Sequence, residues 1–426
     1  MKNKLIRLSE KSFIRNIIIV ASGTALAQIV TIALSPIITR LYGPEAFGLL
    51  GIFTAVVGIL SPIAALSYPV AIVLPKSNND ANKLVRLSLY LTITVAIIAL
   101  IILLFFNNTI ASLFNIEKIS TFLYLIPLVI IFSGILQVIQ QWLIRTKQFR
   151  VSAKTEIYNS LLVNLSKIGV GLFLPIAASL ILLQTLGIAL RGILMHYLSD
   201  RSMTFKGNSN DRSELLKIAS YYKDFPIYRS PQIFINTFSQ KLPILLLTIF
   251  FGPVTSGFYL LGTQTMGAPV QLIGKSVQNV FYSRISEVAN NGGEIIKVLI
   301  KTMAGLGFIG VVPFGFIVIF GPEIFSFIFG EEWRRAGYYV QWIAVLSFFT
   351  LITRPIISTI PIVNIQKEFL IFEVFGTIAK LISLILGFYL FNDDIIAVAI
   401  FSIVSVFIYI ILIFYTLKAV KTFDSC

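Results

Sequence analysis

Residues Ile395–Tyr415 read IIAVAIFSIVSVFIYIILIFY and contain no charged side chain. A helix of this length crosses the hydrocarbon core of a bilayer, which is about 30 Å thick. Residues Ile93–Phe106 form a second, shorter run without a charged side chain, ITVAIIALIILLFF. Both runs are continuously apolar, whereas the strands of a membrane β-barrel alternate apolar and polar residues. The pattern therefore predicts membrane-spanning α-helices.

The composition of the whole chain excludes a soluble globular protein. Of its 426 residues, 57% are hydrophobic and 12% are charged, and the mean hydropathy is +0.89. A soluble domain has about 25% charged residues. The apolar stretch after the basic N-terminus continues past Ser35 without a cleavage site, so we expect a first span there and not a signal peptide. The single cysteine, Cys426, cannot form a disulfide within the chain.

Charged residues, prolines and glycines divide the chain into about twelve predicted spans. Their approximate bounds are 14–38, 47–74, 84–106, 121–144, 153–174, 177–198, 226–250, 253–283, 298–320, 336–361, 367–391 and 395–417. Because this number is even, both termini are expected on one side of the membrane. The connections on that side carry 23 Lys and Arg residues, and the opposite connections carry four. This bias predicts that both termini are cytoplasmic.

The net charge of +15 follows from these dispersed loop residues. We therefore expect the lipid bilayer as a partner and no nucleic acid. The longest connection, residues 199–225, is polar and too short for a domain. It is predicted to be a cytoplasmic linker between two six-helix lobes, residues 1–198 and 226–426.

The two predicted lobes show traces of an internal repeat. LYGPEAFGLL, which begins at Leu41, matches FFGPVTSGFY, which begins at Phe250, with Gly, Pro and Gly at a constant offset of 209. At an offset of 213, Lys167 matches Lys380. With six spans in each lobe, the lobes would be related by an axis along the membrane normal.

Of the 34 basic residues, 27 are counted above with the connections and the adjoining span ends, and seven remain within the predicted spans: Lys167, Arg191, Arg229, Lys241, Lys275, Arg354 and Lys380. An ionised side chain near the bilayer centre costs several kcal/mol unless it faces a partner or a cavity. The three arginines lie near predicted cytoplasmic ends, where a long side chain can reach the headgroups. Lys167, Lys241 and Lys380 lie nearer mid-span, where this is harder.

Helical spacing groups the polar residues of the spans into stripes. The stripes are Glu156, Ser160, Asn164 and Lys167; Arg229, Gln232, Asn236 and Gln240; Gln264, Gln271, Lys275 and Gln278; Thr24, Gln28, Thr31 and Ser35; and Glu373 with Lys380. Such stripes can serve hydrogen bonding between helices, or they can line a water-filled cavity. Their net positive charge favours a central cationic cavity between the lobes.

A cationic cavity implies an anionic ligand, because Lys and Arg bind phosphate groups. We predict that all seven basic residues contribute to this site and that Lys167 and Lys380 face one anionic group. The alternative is that Lys380 pairs with Glu373 and Lys167 pairs with a neighbour.

Features of an enzyme are weak. His196 is the only histidine, no His/Cys/carboxylate spacing indicates a metal site, and no Gly-rich loop indicates a nucleotide. The acidic stretch Asn392–Asp394 is predicted to be a short external turn. We therefore expect no enzyme activity, no metal and no cofactor. Glu156 and Glu373 are candidates for coupling to a proton or sodium gradient.

Four stretches resemble bacterial polysaccharide-biosynthesis membrane proteins, the O-antigen and capsule repeat-unit flippases of the multidrug/oligosaccharidyl-lipid/polysaccharide exporter superfamily. They are LAQIVTIALSPIITRLYGPEAFGLLGIFTAV (26–56), SYPVAIVLPKSNNDANKLVRLSL (67–89), YYKDFPIYRSPQIFIN (221–236) and FGPEIFSFIFGEEWRRAG (320–337). The resemblance implies two six-helix lobes that alternate between inward-open and outward-open states in the bacterial inner membrane. It also implies transport of an undecaprenyl-pyrophosphate-linked oligosaccharide to the periplasmic leaflet.

The resemblance assigns candidate roles to the cavity residues. The seven cations would bind the pyrophosphate, and a set of polar residues would contact the sugars: Gln28, Asn164, Asn236, Gln240, Gln264 and Gln271. The polymerase and chain-length proteins of the same lipopolysaccharide or capsule pathway are implied as partners.

Three other activities are less compatible with the sequence. A multidrug exporter often uses acidic residues in its first helices, and here only Glu45 occurs between Ile14 and Leu74. A lipid II flippase usually has two more helices. A polysaccharide polymerase or ligase would have a large external loop, and the external loops here are short.

The stretch from Phe320 to Gly337 is predicted to form an external turn. Arg334 and Arg335 are expected to pair with Glu331 and Glu332. Trp333 is expected at the membrane interface. These charges are therefore predicted to anchor the turn and not to perform chemistry.

Overall fold

The computed structural model describes residues 2–199, 212–290, 293–363 and 365–424. Helices make up 91% of the structure, and the described ranges contain no strand. The α-helices are α1 (Lys2–Leu60), α2 (Tyr68–Ala71), α3 (Asn78–Leu113), α4 (Ile126–Arg145), α5 (Phe149–Gly171), α6 (Ala177–Leu198), α7 (Arg212–Tyr221), α8 (Ser230–Phe251), α9 (Pro253–Asn290), α10 (Ile295–Phe329), α11 (Arg334–Ile352), α12 (Arg354–Thr359), α13 (Gln366–Phe391) and α14 (Asp394–Asp424). The predicted all-α membrane fold is confirmed.

Every predicted span overlaps a helix. The first lies on α1, and the second begins on α1 and continues past its end through the 3-10 turn Ser61–Ile63 and α2. The next four lie on α3 to α6, the seventh to ninth on α8 to α10, and the last three on α11 with α12, on α13 and on α14. In the described ranges, nine helical segments are long and apolar enough to cross a membrane. One of them, Ile19–Ile63, covers two predicted spans, and the more polar helices α5 and α9 fall outside this set. These three helices account for the difference between nine and twelve.

Two glycine turns separate consecutive spans in the same way. Gly43 interrupts α1 with φ 68° and ψ 172°, and Gly252 ends α8 with φ 86° and ψ 177°. Only glycine adopts this backbone region readily. Each is followed by a proline, Pro44 or Pro253, at the first position of the next helical segment, where the missing N–H is not needed. The two turns matched by the predicted repeat therefore share one local structure.

The chain forms two compact units, with the boundary between Pro253 and Val254. Helix α8, which we predicted to open the second lobe, lies in the first unit and contacts α1. The division into lobes 1–198 and 226–426 stays a prediction.

In the first unit, α5 packs against α1 and α6, and α4 packs against α3 and α6. An apolar cluster at one end contains Trp142, Met195 and Ile218, all buried. Ile218 belongs to α7, so part of the predicted linker is a helix docked on this unit. Residues 200–211 of the linker lie outside the described residues.

Polar contacts hold α7 on the first unit. Lys83 Nζ bridges Asp80 and Glu214, at 3.1 Å from each carboxylate. The Tyr68 hydroxyl donates to the carbonyl of Ala219 over 3.0 Å. Three contacts therefore dock α7 on this unit. Ile218 packs in the apolar cluster, the carbonyl of Ala219 accepts from Tyr68 of α2, and Glu214 pairs with Lys83 of α3.

In the second unit, α10 and α11 form a close helical hairpin, and α14 packs against α11 and α13. The helix α10 is kinked at Phe320, which has φ −110° and ψ 18°, next to Pro322. Gly321 and Gly337 lie back to back where the two helices cross. Small residues at such crossings let helix backbones approach each other in a membrane.

The outer surfaces of both units are apolar. Phe105 is 78% exposed, Phe308 is 80% exposed and Phe407 is 63% exposed. Exposed apolar surface of this extent is incompatible with water and suits contact with lipid chains. The structure therefore describes a multi-pass membrane protein.

Candidate functional site

The predicted polar stripe of α5 serves two different neighbours. Ser160 Oγ lies 2.8 Å from the carbonyl oxygen of Ala27 and 3.0 Å from Thr31 Oγ1. Asn164, which is buried, donates to Thr31 Oγ1 over 3.2 Å and to the carbonyl of Ser160 over 2.7 Å. These hydrogen bonds hold α5 against α1. The side-chain amide of Asn164 donates within this α1–α5 interface.

The remaining α5 residues of the stripe face α6. Glu156 forms an ion pair with Arg191, and Lys167 Nζ donates to Gln184 Oε1 over 2.9 Å. Lys167 therefore has a neutral partner and keeps a net positive charge at the seam. It lies four residues before Gly171, the last residue of α5, so its predicted mid-span position is wrong.

The α8 stripe is exposed along its whole length. Arg229, Gln232, Asn236 and Gln240 are all open to the surroundings of the helix. Arg229 donates to Gln232 over 3.2 Å, and Gln240 donates to Asn236 over 2.7 Å. Polar groups in a spanning helix are stable when they face a water-filled space. The exposed polar face of α8 therefore indicates a water-filled space beside this helix.

Lys241 lies beside this face, in the seam between α8 and α1. It is eleven residues from Ser230 and ten from Phe251, or about 15 Å from either end of the helix at 1.5 Å per residue. A Cβ added to Gly58 would lie 3.2 Å from Lys241 Cε, so the side chain passes over the bare backbone of α1. Within the described part of the chain, Lys241 Nζ has no hydrogen-bond or ion-pair partner.

In the second unit, Arg354 lies against α9. Its Nε is 3.1 Å from the Cβ that Gly274 lacks, and among the described residues this Nε has no hydrogen-bond partner. The α9 residues Gln264 and Gln271 are exposed. The side chain of Lys275 lies outside the described residues.

Lys380 is a mid-helix cation, as predicted. It lies fourteen residues after Gln366 and eleven before Phe391. Its Nζ is 5.3 Å from the centre of the Tyr409 ring, a distance at which a cation is attracted to the ring face. Glu373 is exposed on the same helix. The predicted equivalence of Lys380 with Lys167, and their shared ligand, stay predictions.

A comparison with protein families places the chain. The family described as "Polysaccharide biosynthesis protein" matches residues 37–338. The chain belongs to this family. The matched region runs from α1 into α11 and includes the α5–α6 seam, the α8 face and the Gly43 and Gly252 turns. No curated protein matches the sequence.

Solved structures share the fold of this polysaccharide biosynthesis protein. The inward closed form of the lipid II flippase MurJ has a TM-score of 0.75 at 14% identity, over 96% of this chain and 90% of that one. An inward-facing multidrug resistance MATE transporter of the MOP superfamily has a TM-score of 0.65 at 13% identity, over 93% and 96%. The MATE multidrug transporter DinF-BH has a TM-score of 0.58 at 16% identity, over 95% and 94%.

The turn within residues 320–337 of this polysaccharide biosynthesis protein, which is predicted to be external, differs from the prediction in two contacts. Arg334 pairs with Glu331 at 3.2 Å, as expected. Arg335 instead forms an ion pair with Asp394 at 2.5 Å, so its predicted pairing with the neighbouring glutamates is wrong. Trp333 is 1% exposed and packs edge-on against Phe258, so its predicted interfacial position is also wrong.

Asp394 forms a buried hydrogen-bond network that was not predicted from the sequence. Its buried carboxylate accepts hydrogen bonds from Arg335 and, at 2.5 Å, from the Tyr339 hydroxyl. Thr255 Oγ1 lies 3.4 Å away and joins α9 to the same group. The preceding Asp393 accepts the backbone N–H groups of Ile395 and Ile396 and caps α14. The acidic turn therefore joins α14 to α11 and α9 through hydrogen bonds to Asp394.

Proposed function

We propose that this protein is a flippase for a lipid-linked oligosaccharide. The observation that carries the proposal is Lys241, a cation at the centre of a spanning helix that has no partner among the described residues. An unpaired lysine at this depth costs about 2.5–3.5 kcal/mol on insertion scales. Such a cost is offset when the lysine binds an anionic ligand. A lipid-linked sugar carries a phosphate or pyrophosphate at the junction of its polar and apolar parts.

The exposed face of α8 supports a polar substrate next to that cation. Asn236 and Gln240 offer amide donors and acceptors of the kind that bind sugar hydroxyls, and Arg229 adds a second positive charge at the predicted cytoplasmic end. We propose Gln28, Gln264 and Gln271 as further sugar contacts. Lys275, Arg354 and Lys380 would bind the pyrophosphate from the second unit.

The membership of the polysaccharide biosynthesis family supports the substrate class, and the MurJ structure shows that a lipid flippase can have this fold. We propose an undecaprenyl-pyrophosphate-linked repeat unit of an O-antigen or capsule as the substrate. Transport would run from the cytoplasmic to the periplasmic leaflet of the inner membrane, with both termini cytoplasmic. The polymerase and chain-length proteins of the pathway would act on the product.

Energy for the cycle would come from the substrate gradient or from coupling to protons or sodium. Glu373, which is exposed, and Glu156, which forms an ion pair with Arg191, are the candidates for coupling. Export of cationic drugs is a weaker proposal. Glu45, the one acidic residue predicted between the first two spans, is bound to Lys118 at 2.6 Å.

Deletion of the gene tests this function in cells. We expect lipid-linked repeat units to accumulate in the cytoplasmic leaflet and surface polysaccharide to be lost, with both restored by the wild-type gene. Glycan labelling at the cell surface and mass spectrometry of extracted lipids measure the two effects. Normal surface polysaccharide together with new drug sensitivity would contradict the flippase and support an exporter.

A further inference from the structure

Helix α7 has an inner face that packs on the first unit and an exposed outer face. On the inner face, Ile218 lies in the apolar cluster and Glu214 pairs with Lys83 of α3. A set of exposed side chains forms the outer face: Leu216, Lys217, Ser220 and Tyr221. At 100° per residue, these four side chains cover an arc of about 140° around the helix. One side of α7 is therefore open to the surroundings of the protein.

The outer face lies at the level where the neighbouring helices enter the membrane. Glu214, in the first turn of α7, is held by Lys83, the last residue before the predicted span 84–106. Tyr221, the last residue of α7, lies five residues before the predicted span 226–250. Both ends of α7 are therefore near the depth of the lipid headgroups.

The outer face combines apolar, aromatic and basic side chains. Leu216 is 62% exposed and Tyr221 is 79% exposed, and exposed Ile227 and Tyr228 continue this surface after the helix. Tyrosine is enriched where a membrane meets water, because its ring is apolar and its hydroxyl is polar. A lysine such as Lys217 can extend its ammonium group to the headgroups while its methylene chain stays on apolar surface. The composition of this face therefore suits the surface of a bilayer.

The exposed charges of this segment indicate the kind of lipid. Between Ser213 and Ser230, the exposed charged side chains are three cations and one carboxylate: Lys217, Lys223, Arg229 and Asp224. Glu214 is less exposed and is paired with Lys83. A positively charged segment at the membrane surface attracts anionic lipids, and each Lys or Arg adds to the attraction. The charges therefore favour anionic phospholipids over zwitterionic ones.

We propose that the outer face of α7 binds anionic phospholipids at the predicted cytoplasmic surface of the membrane. Leu216 and Tyr221 lie among the upper parts of the acyl chains, and the ammonium group of Lys217 binds a lipid phosphate. Part of the predicted linker between the lobes is then a lipid-binding surface. This surface is independent of the proposed transport function, because none of these three residues is a proposed substrate contact.

Quenching of a fluorophore by spin-labelled lipids tests this surface. The full-length protein carries Cys426→Ser and Ser220→Cys, so that a thiol-linked fluorophore sits on the outer face while Leu216, Lys217 and Tyr221 stay in place. It is reconstituted into phosphatidylcholine nanodiscs that contain increasing fractions of doxyl-labelled phosphatidylglycerol or doxyl-labelled phosphatidylcholine. We expect stronger quenching by phosphatidylglycerol. Equal quenching by the two lipids would overturn the choice of an anionic lipid, and quenching by aqueous iodide alone would overturn the whole proposal.

Two matched variants test the charge of the outer face. Lys217→Gln removes its cation, whereas Lys76→Gln removes an exposed lysine of the first unit outside α7. Lys217→Gln should raise the phosphatidylglycerol fraction needed for half-maximal quenching about fivefold, and Lys76→Gln should leave it unchanged. Both side chains are exposed, so both variants should fold, and thermal unfolding in detergent checks this. No effect of Lys217→Gln, or equal effects of the two variants, would contradict the site.

Discussion

Replacing Gly337 by alanine is expected to destabilise the folded protein and lower its yield in the membrane. A Cβ at this position would lie 2.3 Å from Pro322 Cα and 2.6 Å from the carbonyl oxygen of Gly321. Both are backbone atoms of α10, so no side-chain rotation relieves the overlap. Overpacking typically costs about 1–3 kcal/mol, out of about 5–15 kcal/mol that stabilises a native protein. We expect a loss at the upper end of that range, because two helices must separate.

Gly315→Ala is the matched control for this variant. Gly315 lies on α10, and a Cβ there would meet nothing within 4 Å. Alanine favours a helix over glycine by about 1 kcal/mol, so this variant should be neutral or slightly more stable. Membrane yield and thermal unfolding in detergent measure both variants. Equal yield and equal unfolding temperature for the two would contradict the close crossing of α10 and α11.

Replacing Lys241 by glutamine is expected to reduce transport at least tenfold without reducing stability. A hydrogen bond to a charged group contributes about 1.5–3 kcal/mol, which corresponds to about a 10- to 150-fold loss of transport. Removal of an unpaired charge from mid-membrane should leave the unfolding temperature unchanged or raise it. A purely structural lysine would show the opposite pattern, with lower stability.

Lys301→Gln is the control for charge alone. Lys301 lies on α10 at the predicted cytoplasmic end and is exposed, so its loss should change neither transport nor stability. Transport is measured as restored surface polysaccharide in the deletion strain, at matched protein levels in the membrane. Wild-type transport by Lys241→Gln would remove this residue from the substrate site.

The fold was predictable because long apolar runs such as Ile395–Tyr415 have few alternatives in a membrane. The glycine turns at Gly43 and Gly252 were also predictable, because glycine followed by proline has a strong local preference. The helix α7 within the predicted linker was not predictable. Its anchor Ile218 contacts residues far away in the chain, and no local spacing indicates that contact.

The site was only partly predictable, for geometric reasons. At 100° per residue, Lys167 lies about 20° from Glu156 around α5, while Asn164 lies about 80° from it. A stripe drawn by spacing therefore covers two helix interfaces, and only the structure separates them. The pair Arg335 and Asp394 joins residues 59 positions apart. A short sequence stretch therefore suggested the wrong partners for Arg335.

Reconstitution into liposomes tests the flippase most directly. The substrate is a prenyl-pyrophosphate-linked oligosaccharide with a fluorescent sugar, and an impermeant quencher reports the fraction in the outer leaflet. We predict that wild-type protein makes substrate from the inner leaflet accessible to the quencher, and that Lys241→Gln does so at least tenfold more slowly. Accessibility with folded wild-type protein equal to that of protein-free liposomes would contradict the proposed function.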